Sequence, residues 1–203
     1  MTGVIIPAYK RPDCLRKALT SLTLQNYTSF YVVVVDDHSP EPLKEVVDEF
    51  KKKLHIKYIY TEKNGGPGVA RQIGLEWCYE KKFEYVMFMD SDDLVFPHTI
   101  AMLNNAIHIN DADFVSSSIW KENVFGLGEI VEYGNIVFLH GKYYKTSFLK
   151  ENNISFSTLR TNEDLVFNFT VRELSKKPYF LDETLYFFRA EPNSITRNGK
   201  NSA

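Results

Sequence analysis

An apolar run, Tyr85-Val86-Met87-Phe88-Met89, leads without a break into Asp90-Ser91-Asp92-Asp93. The run has the length and composition of a buried strand. Three carboxylates at its end do not suit a core, because each unpaired buried charge costs on the order of several kcal/mol. A hard divalent cation with oxygen ligands is the natural neutraliser. If the strand is parallel to its neighbours, its carboxyl end lies on the edge where open α/β sheets bind ligands. Taken alone, the same four residues also suit a solvated turn followed by a helix cap.

The elements upstream alternate. Gly3–Pro7 reads as a short buried strand stopped by its proline, which cannot donate to a central ladder. Pro12–Thr23 carries Leu15, Ala18, Leu19 and Leu22 at helical spacing. Tyr31–Val35 is a second apolar run, and Leu43–Leu54 an amphipathic helix with Val46, Val47 and Phe50 on one face. Ile56–Tyr60 and Gly68–Tyr79 follow as strand and helix. This alternation predicts a parallel, doubly wound α/β sheet.

After about residue 110 the pattern is mixed. Phe114–Trp120 and Ile130–Val137 read as strands around a glycine-containing turn at Gly126–Gly128. Tyr143–Glu151 and Glu163–Leu174 read as helices, and Leu185–Arg189 as a last strand. Such a half would suit a module laid against the first, supplying a second substrate's site.

The chain has 203 residues, 44% hydrophobic and 14% aromatic, enough for one sizeable core. Lys and Arg number 24 against 26 Asp and Glu, so no global field favours nucleic acid or an anionic membrane. A local basic patch from Arg160, Arg172, Lys176 and Lys177 stays open. Cys14 and Cys78 stand far apart without a spacing motif, which predicts a reducing compartment and core positions for both. No apolar run reaches the roughly 18 residues of a membrane span. With no leader-like start, the reading is a cytoplasmic protein, with peripheral membrane contact left open.

Three further clusters follow the early strands. In Pro7-Ala8-Tyr9, the ring of Tyr9 could stack on a planar ligand or be an ordinary turn aromatic. Asp36-Asp37 could accept from a ribose hydroxyl or a base N–H, or cap the next helix. In Asn64-Gly65-Gly66-Pro67-Gly68-Val69-Ala70-Arg71 the glycines allow close backbone approach, but neither phosphate-loop fingerprint is met. An Arg early in the following helix is not explained by the helix dipole, which favours anions there. The acids Glu163-Asp164 at a helix start suit that dipole on their own.

Taken in order, Ile5-Ile6-Pro7-Ala8-Tyr9, Val35-Asp36-Asp37-His38-Ser39, Asn64 to Arg71 and Phe88-Met89-Asp90-Ser91-Asp92-Asp93 resemble glycosyltransferase family 2. His140-Gly141-Lys142-Tyr143-Tyr144, Asn162-Glu163-Asp164-Leu165 and the stretch Arg189 to Arg197, with Asn193-Ser194-Ile195-Thr196, resemble its later landmarks. The resemblance implies the GT-A fold, a Rossmann-like, mostly parallel sheet flanked by helices, with a mixed α+β acceptor side. It also implies one domain over residues 1–203, with a nucleotide-sugar half 1–110, an acceptor half 111–197 and a tail 198–203.

The resemblance further implies that Pro7, Ala8 and Tyr9 border the base, and that Asp37 or Asp36 contacts base or ribose. Arg71 and the loop Asn64 to Gly68 would face base and phosphates, and Asp90 and Ser91 the ribose and diphosphate. Asp92, with Asp90, would ligate Mn2+ or Mg2+. Many relatives place a further histidine ligand where this chain has Glu191, whose carboxylate suits either ion. His140 would belong to the acceptor side. Asp164 would be the general base, with Glu163 structural or acceptor-binding.

The expected activity is inverting transfer from a nucleotide-sugar, UDP-linked by preference, to a hydroxyl of an acceptor, a glycan before a nucleic acid. A non-catalytic nucleotide-sugar or carbohydrate-binding module of the same fold is the alternative. A sugar-1-phosphate nucleotidyltransferase would need a Gly-rich basic loop after the first strand, where Pro7-Ala8-Tyr9-Lys10-Arg11 has no glycine.

Overall fold

A computed structural model describes residues 1–123, 125–135, 137–159 and 161–191. The final segment beyond residue 191, with Asn193-Ser194-Ile195-Thr196, Arg197 and the tail, lies outside the described residues, as does Arg160.

The parallel half is built as the alternation predicts. β1 (Thr2–Ala8), α1 (Pro12–Thr23), β2 (Phe30–Asp36), α2 (Lys44–Phe50), β3 (Ile56–Tyr60), α3 (Pro67–Glu80) and β4 (Tyr85–Phe88) follow in turn. β1 pairs in parallel with both β2 and β4, and β2 with β3. The strand order β3-β2-β1-β4 reverses at β1, and the crevice beyond the carboxyl ends of β1 and β4 is where such sheets receive ligands.

The second half continues the same sheet rather than starting another. β5 (Leu94–Val95) and α4 (Thr99–Ile109) precede β6 (Phe114–Glu122), β7 (Gly128–Val131), β8 (Lys142–Lys145), α5 (Thr146–Glu151), α6 (Glu163–Leu174) and β9 (Pro178–Phe188). β8 runs antiparallel between β4 and β6, β9 lies parallel to β6, and β5 and β7 pair antiparallel with β9 and β6. The sheet is therefore parallel on the first side and mixed on the second.

Strand side chains alternate between two cores. Val4, Ile6, Val32 and Val34 pack with Leu15, Leu19 and Leu22 of α1, Val47 of α2 and Leu103 of α4. Ile5, Val33, Val35, Val86 and Phe88 pack on the other face with Leu75 of α3, Leu149 of α5 and Phe167 of α6. Each fully buried Leu, Ile or Phe contributes about 1.5–3 kcal/mol relative to exposure.

Several boundaries differ from expectation, each for a physical reason. Pro7 does not stop β1, which continues to Ala8 with Pro7 opposite Val35 of β2. Ile5 faces β4, where its carbonyl accepts from Met89 N–H, so Pro7 faces the same way. There the β1–β4 ladder has already ended at Phe88, and no N–H is required. Tyr143 and Tyr144 belong to a strand, not a helix. They are fully buried, and one joins each core, which only a two-residue period allows. β7 stops at Val131, short of the expected Val137, while β9 starts earlier, at Pro178. α2 closes at Phe50, and Lys53 and Leu54 fold back onto its carbonyl before β3. Cys78 is buried as expected, whereas Cys14 is only partly covered.

α3 lies close enough to β1 and β2 that a Cβ on Gly74 would sit 2.5 Å from Ile5 Cγ2 and 3.3 Å from Val35 Cγ2. Gly74→Val is expected to lower unfolding free energy by about 1–3 kcal/mol, read from urea midpoints at unchanged m-value. An unaffected midpoint would mean that α3 does not pack this tightly.

Candidate functional site

The turn after β4 is held from behind by β9. The Asp90 N–H donates to Tyr186 Oη at 3.1 Å, and that hydroxyl donates to Asp93 Oδ2 at 2.8 Å. Asp93 Oδ1 accepts the Arg189 N–H at 2.9 Å. Asp90 Oδ1 accepts from Arg71 at 2.7 Å, and Asp90 Oδ2 lies 3.1 Å from His140 Nε2. The His140 ring stacks on Tyr186 with centroids 4.9 Å apart.

The three carboxylates have different electrostatic fates. Burial opposes ionisation of Asp90, but Arg71 and His140 outweigh it and hold this carboxyl well below the usual range. Burial, with Asp90 and Asp92 nearby, pushes Asp93 up to about 7. Burial and then Asp90 raise Asp92, while Arg11 opposes the rise from 2.8 Å. Burial disfavours the His140 imidazolium, yet Asp90 and Asp93 raise it overall.

Arg71 joins this cluster to the second half. Its other terminal nitrogen donates to Glu163 Oε1 at 2.8 Å. The guanidinium is 5% exposed and the Glu163 side chain 7%. It is therefore a buried tie between the two carboxylates. Asp164 is the second residue of α6, partly exposed, with Oδ1 accepting the Leu165 N–H at 2.8 Å. Its charge acts on buried Lys142, whose ammonium donates to the carbonyls of Asn135 and Phe138.

Around the mouth, Pro7 and Ala8 are buried at the end of β1, while Tyr9 is 38% exposed with the Lys10 ammonium 4.9 Å from its ring centre. Asp36 is wholly buried and accepts from Ser39 N–H, Leu43 N–H and Tyr58 Oη. It braces the entry to α2. Asp37 accepts Gly65 N–H and Gly66 N–H at 2.8 Å each, and Asn64 Nδ2 donates to the Asp37 carbonyl. The loop is thereby clamped, and Gly66 takes a φ of 88° that favours glycine. Gly68 serves close packing instead. A Cβ there would lie 2.8 Å from Glu163 Cγ, so its absence lets α3 approach α6. Ser91 is half-buried at the opening.

Among the described residues, the potential ligand atoms that converge belong to Asp90, Asp93 and His140, all within 4.8 Å of one another. Two carboxylates and an imidazole suit a small divalent ion such as Mn2+ or Mg2+. Asp92, outside the set, pairs with Arg11 at 2.8 Å. Glu191, expected to complete it, pairs with Arg189 at 2.7 Å. The sequence does not foretell the pairing of His140 with Asp93. Its one signal is that His140 lies in a segment resembling a family landmark.

With this geometry in place, comparison with known proteins assigns the family. Residues 3–160 match glycosyl transferase family 2, and the chain belongs to it. The poly(ribitol-phosphate) β-N-acetylglucosaminyltransferase TarS of Staphylococcus aureus is 28% identical over 92% of this chain and 35% of its own length. A poly(ribitol-phosphate) β-glucosyltransferase of Bacillus spizizenii is 30% identical over 86% of this chain and 30% of its own. The chain thus spans about a third of the length of these relatives. The crystal structure of TarS residues 1–349 with UDP-GlcNAc superposes with a TM-score of 0.82 at 28% identity, covering 94% of this chain and 59% of that one. The GT-A architecture follows from that match. No helix among the described residues is long and apolar enough to cross a membrane.

Burial lowers the Lys142 ammonium from 10.5 to about 7, against the pull of Asp164. The unfolded chain keeps this proton to about pH 10.4. Between those values the unfolded state binds more protons, so Lys142 makes stability rise with pH from about 7 to about 10. Lys142→Met should flatten that rise in urea unfolding. A slope equal to wild type would place the pH response in other groups.

Proposed function

We propose that residues 1–203 form one glycosyl-transferring domain, moving a sugar from a UDP-sugar to an acceptor hydroxyl with inversion at the anomeric carbon. The observation that carries this reading is the meeting at one sheet edge of the Asp90–Asp93 turn and the Glu163-Asp164 helix start. Arg71 links them, donating to Asp90 and, 92 residues along the sequence from itself, to Glu163. Family membership and likeness to a UDP-GlcNAc complex support it.

The half formed by residues 1–110 takes the donor and 111–197 the acceptor. Tyr9 offers its exposed ring to the base, and the Asp37-clamped loop at Asn64 to Gly66 borders the nucleotide. Asp164, partly exposed at the start of α6, takes the proton from the acceptor hydroxyl as that oxygen attacks opposite the departing nucleoside diphosphate. Asp90 and Asp92, backed by Asp93 and His140, are the residues that would hold Mn2+ or Mg2+. When bound, such an ion stabilises negative charge on the leaving phosphate oxygen. A glycan hydroxyl is the preferred acceptor, and the donor sugar is left to the assay.

UDP release from a panel of UDP-sugars, with and without Mn2+, tests the reading. One donor should turn over with Mn2+ and acceptor, and Asp164→Asn should cut kcat by about 10²–10⁴-fold while UDP still binds by calorimetry. UDP binding without turnover of any donor, across an acceptor panel, would instead mark a non-catalytic binding module.

A further inference from the structure

Arg71 sits in α3 on the donor side, while Glu163 is the first residue of α6 on the acceptor side. One guanidinium nitrogen holds Asp90 at 2.7 Å and the other holds Glu163 at 2.8 Å. A planar guanidinium offers its donors in a rigid fork, so gripping two carboxylates also fixes their separation. Gly68 adds a second constraint. Without a side chain there, the α3 backbone comes directly against Glu163, whose Cγ would be 2.8 Å from a Cβ. The Asp164 carboxylate accepts its hydrogen bond from Leu165 of its own helix, so its placement follows wherever α6 begins.

We propose that Arg71 and Glu163 are positioning residues. Their buried ion pair sets the start of α6, and Asp164 with it, against the donor-side carboxylates, so that transfer depends on the pair more than donor binding does. The structural part rests on geometry alone, and the kinetic part rests on the glycosyl-transfer reading above.

Glu163→Gln keeps the shape and removes the charge, while Glu163→Asp keeps the charge and shortens the reach. Three measurements apply to both: hydrogen exchange of the amides in the first turn of α6, UDP affinity with Mn2+ by calorimetry, and kcat and KM for the donor. In Glu163→Gln, exchange there should rise on the order of tenfold. UDP affinity should stay within about 3-fold and kcat should fall about 10²-fold, as for a group moved by an ångström. Glu163→Asp should recover part of the loss.

Unchanged exchange in a folded Glu163→Gln would overturn the tie, whatever the activity. UDP affinity falling in parallel with kcat would also overturn it, by placing the pair in donor binding. Raised exchange with retained UDP binding, in a protein whose wild type turns over no donor, supports the tie and refutes the glycosyl-transfer reading instead. Should Glu163→Gln fail to fold, Glu163→Asp is judged by the same measurements.

Discussion

One guanidinium shared between a buried carboxylate, Glu163, and a partly exposed one, Asp90, constrains the rest of this structure. Removing either partner of such a pair typically costs about 3–5 kcal/mol, because a buried charge is then left uncompensated. Arg71 is therefore bound to keep Asp90 and Glu163 together, and with them the turn after β4 and the start of α6. Asp90 extends the chain of contacts to His140, on the loop that leads into β8. A continuous sheet joins the two halves mechanically, and these ionic contacts join them at the edge where ligands would enter.

The same arrangement gives three neighbouring carboxylates different character. Asp90, flanked by Arg71 and His140, stays ionised. Asp93, buried behind Tyr186 and the Arg189 backbone, is pushed up to about 7. Asp92 pairs with Arg11, which follows a left-handed Lys10 and is itself left-handed, with φ values of 59° and 55°. Two successive non-glycine residues in that region store backbone strain, which tends to gather at functional sites. Identical side chains thus acquire distinct roles from burial and partners, not from their spacing.

Much of this is legible in local sequence. The continuous apolar runs and the helical spacing of Leu15, Leu19 and Leu22 specify the parallel half, because apolar patterning is a local property. The Asp90–Asp93 cluster stands out because such charge cannot be left at the end of a buried strand. Tyr143 and Tyr144 read as helical in the sequence but are not, since two adjacent aromatics reveal their opposite faces only when a core exists on each side. Pro7 reads as a terminator but is not one, because its missing N–H matters only where a neighbouring strand still needs it.

The sequence by itself determined the alternating fold, the family and the segments from which a site could be built, since these depend on spacing along the chain. Only the tertiary structure decided which carboxylates those segments bring into contact. Asp36 turned inward to brace α2, Arg71 became a buried tie, and His140 met Asp90 and Asp93. Such assignments depend on which charges share a low-dielectric interior, and that is set by contacts between residues far apart in the chain.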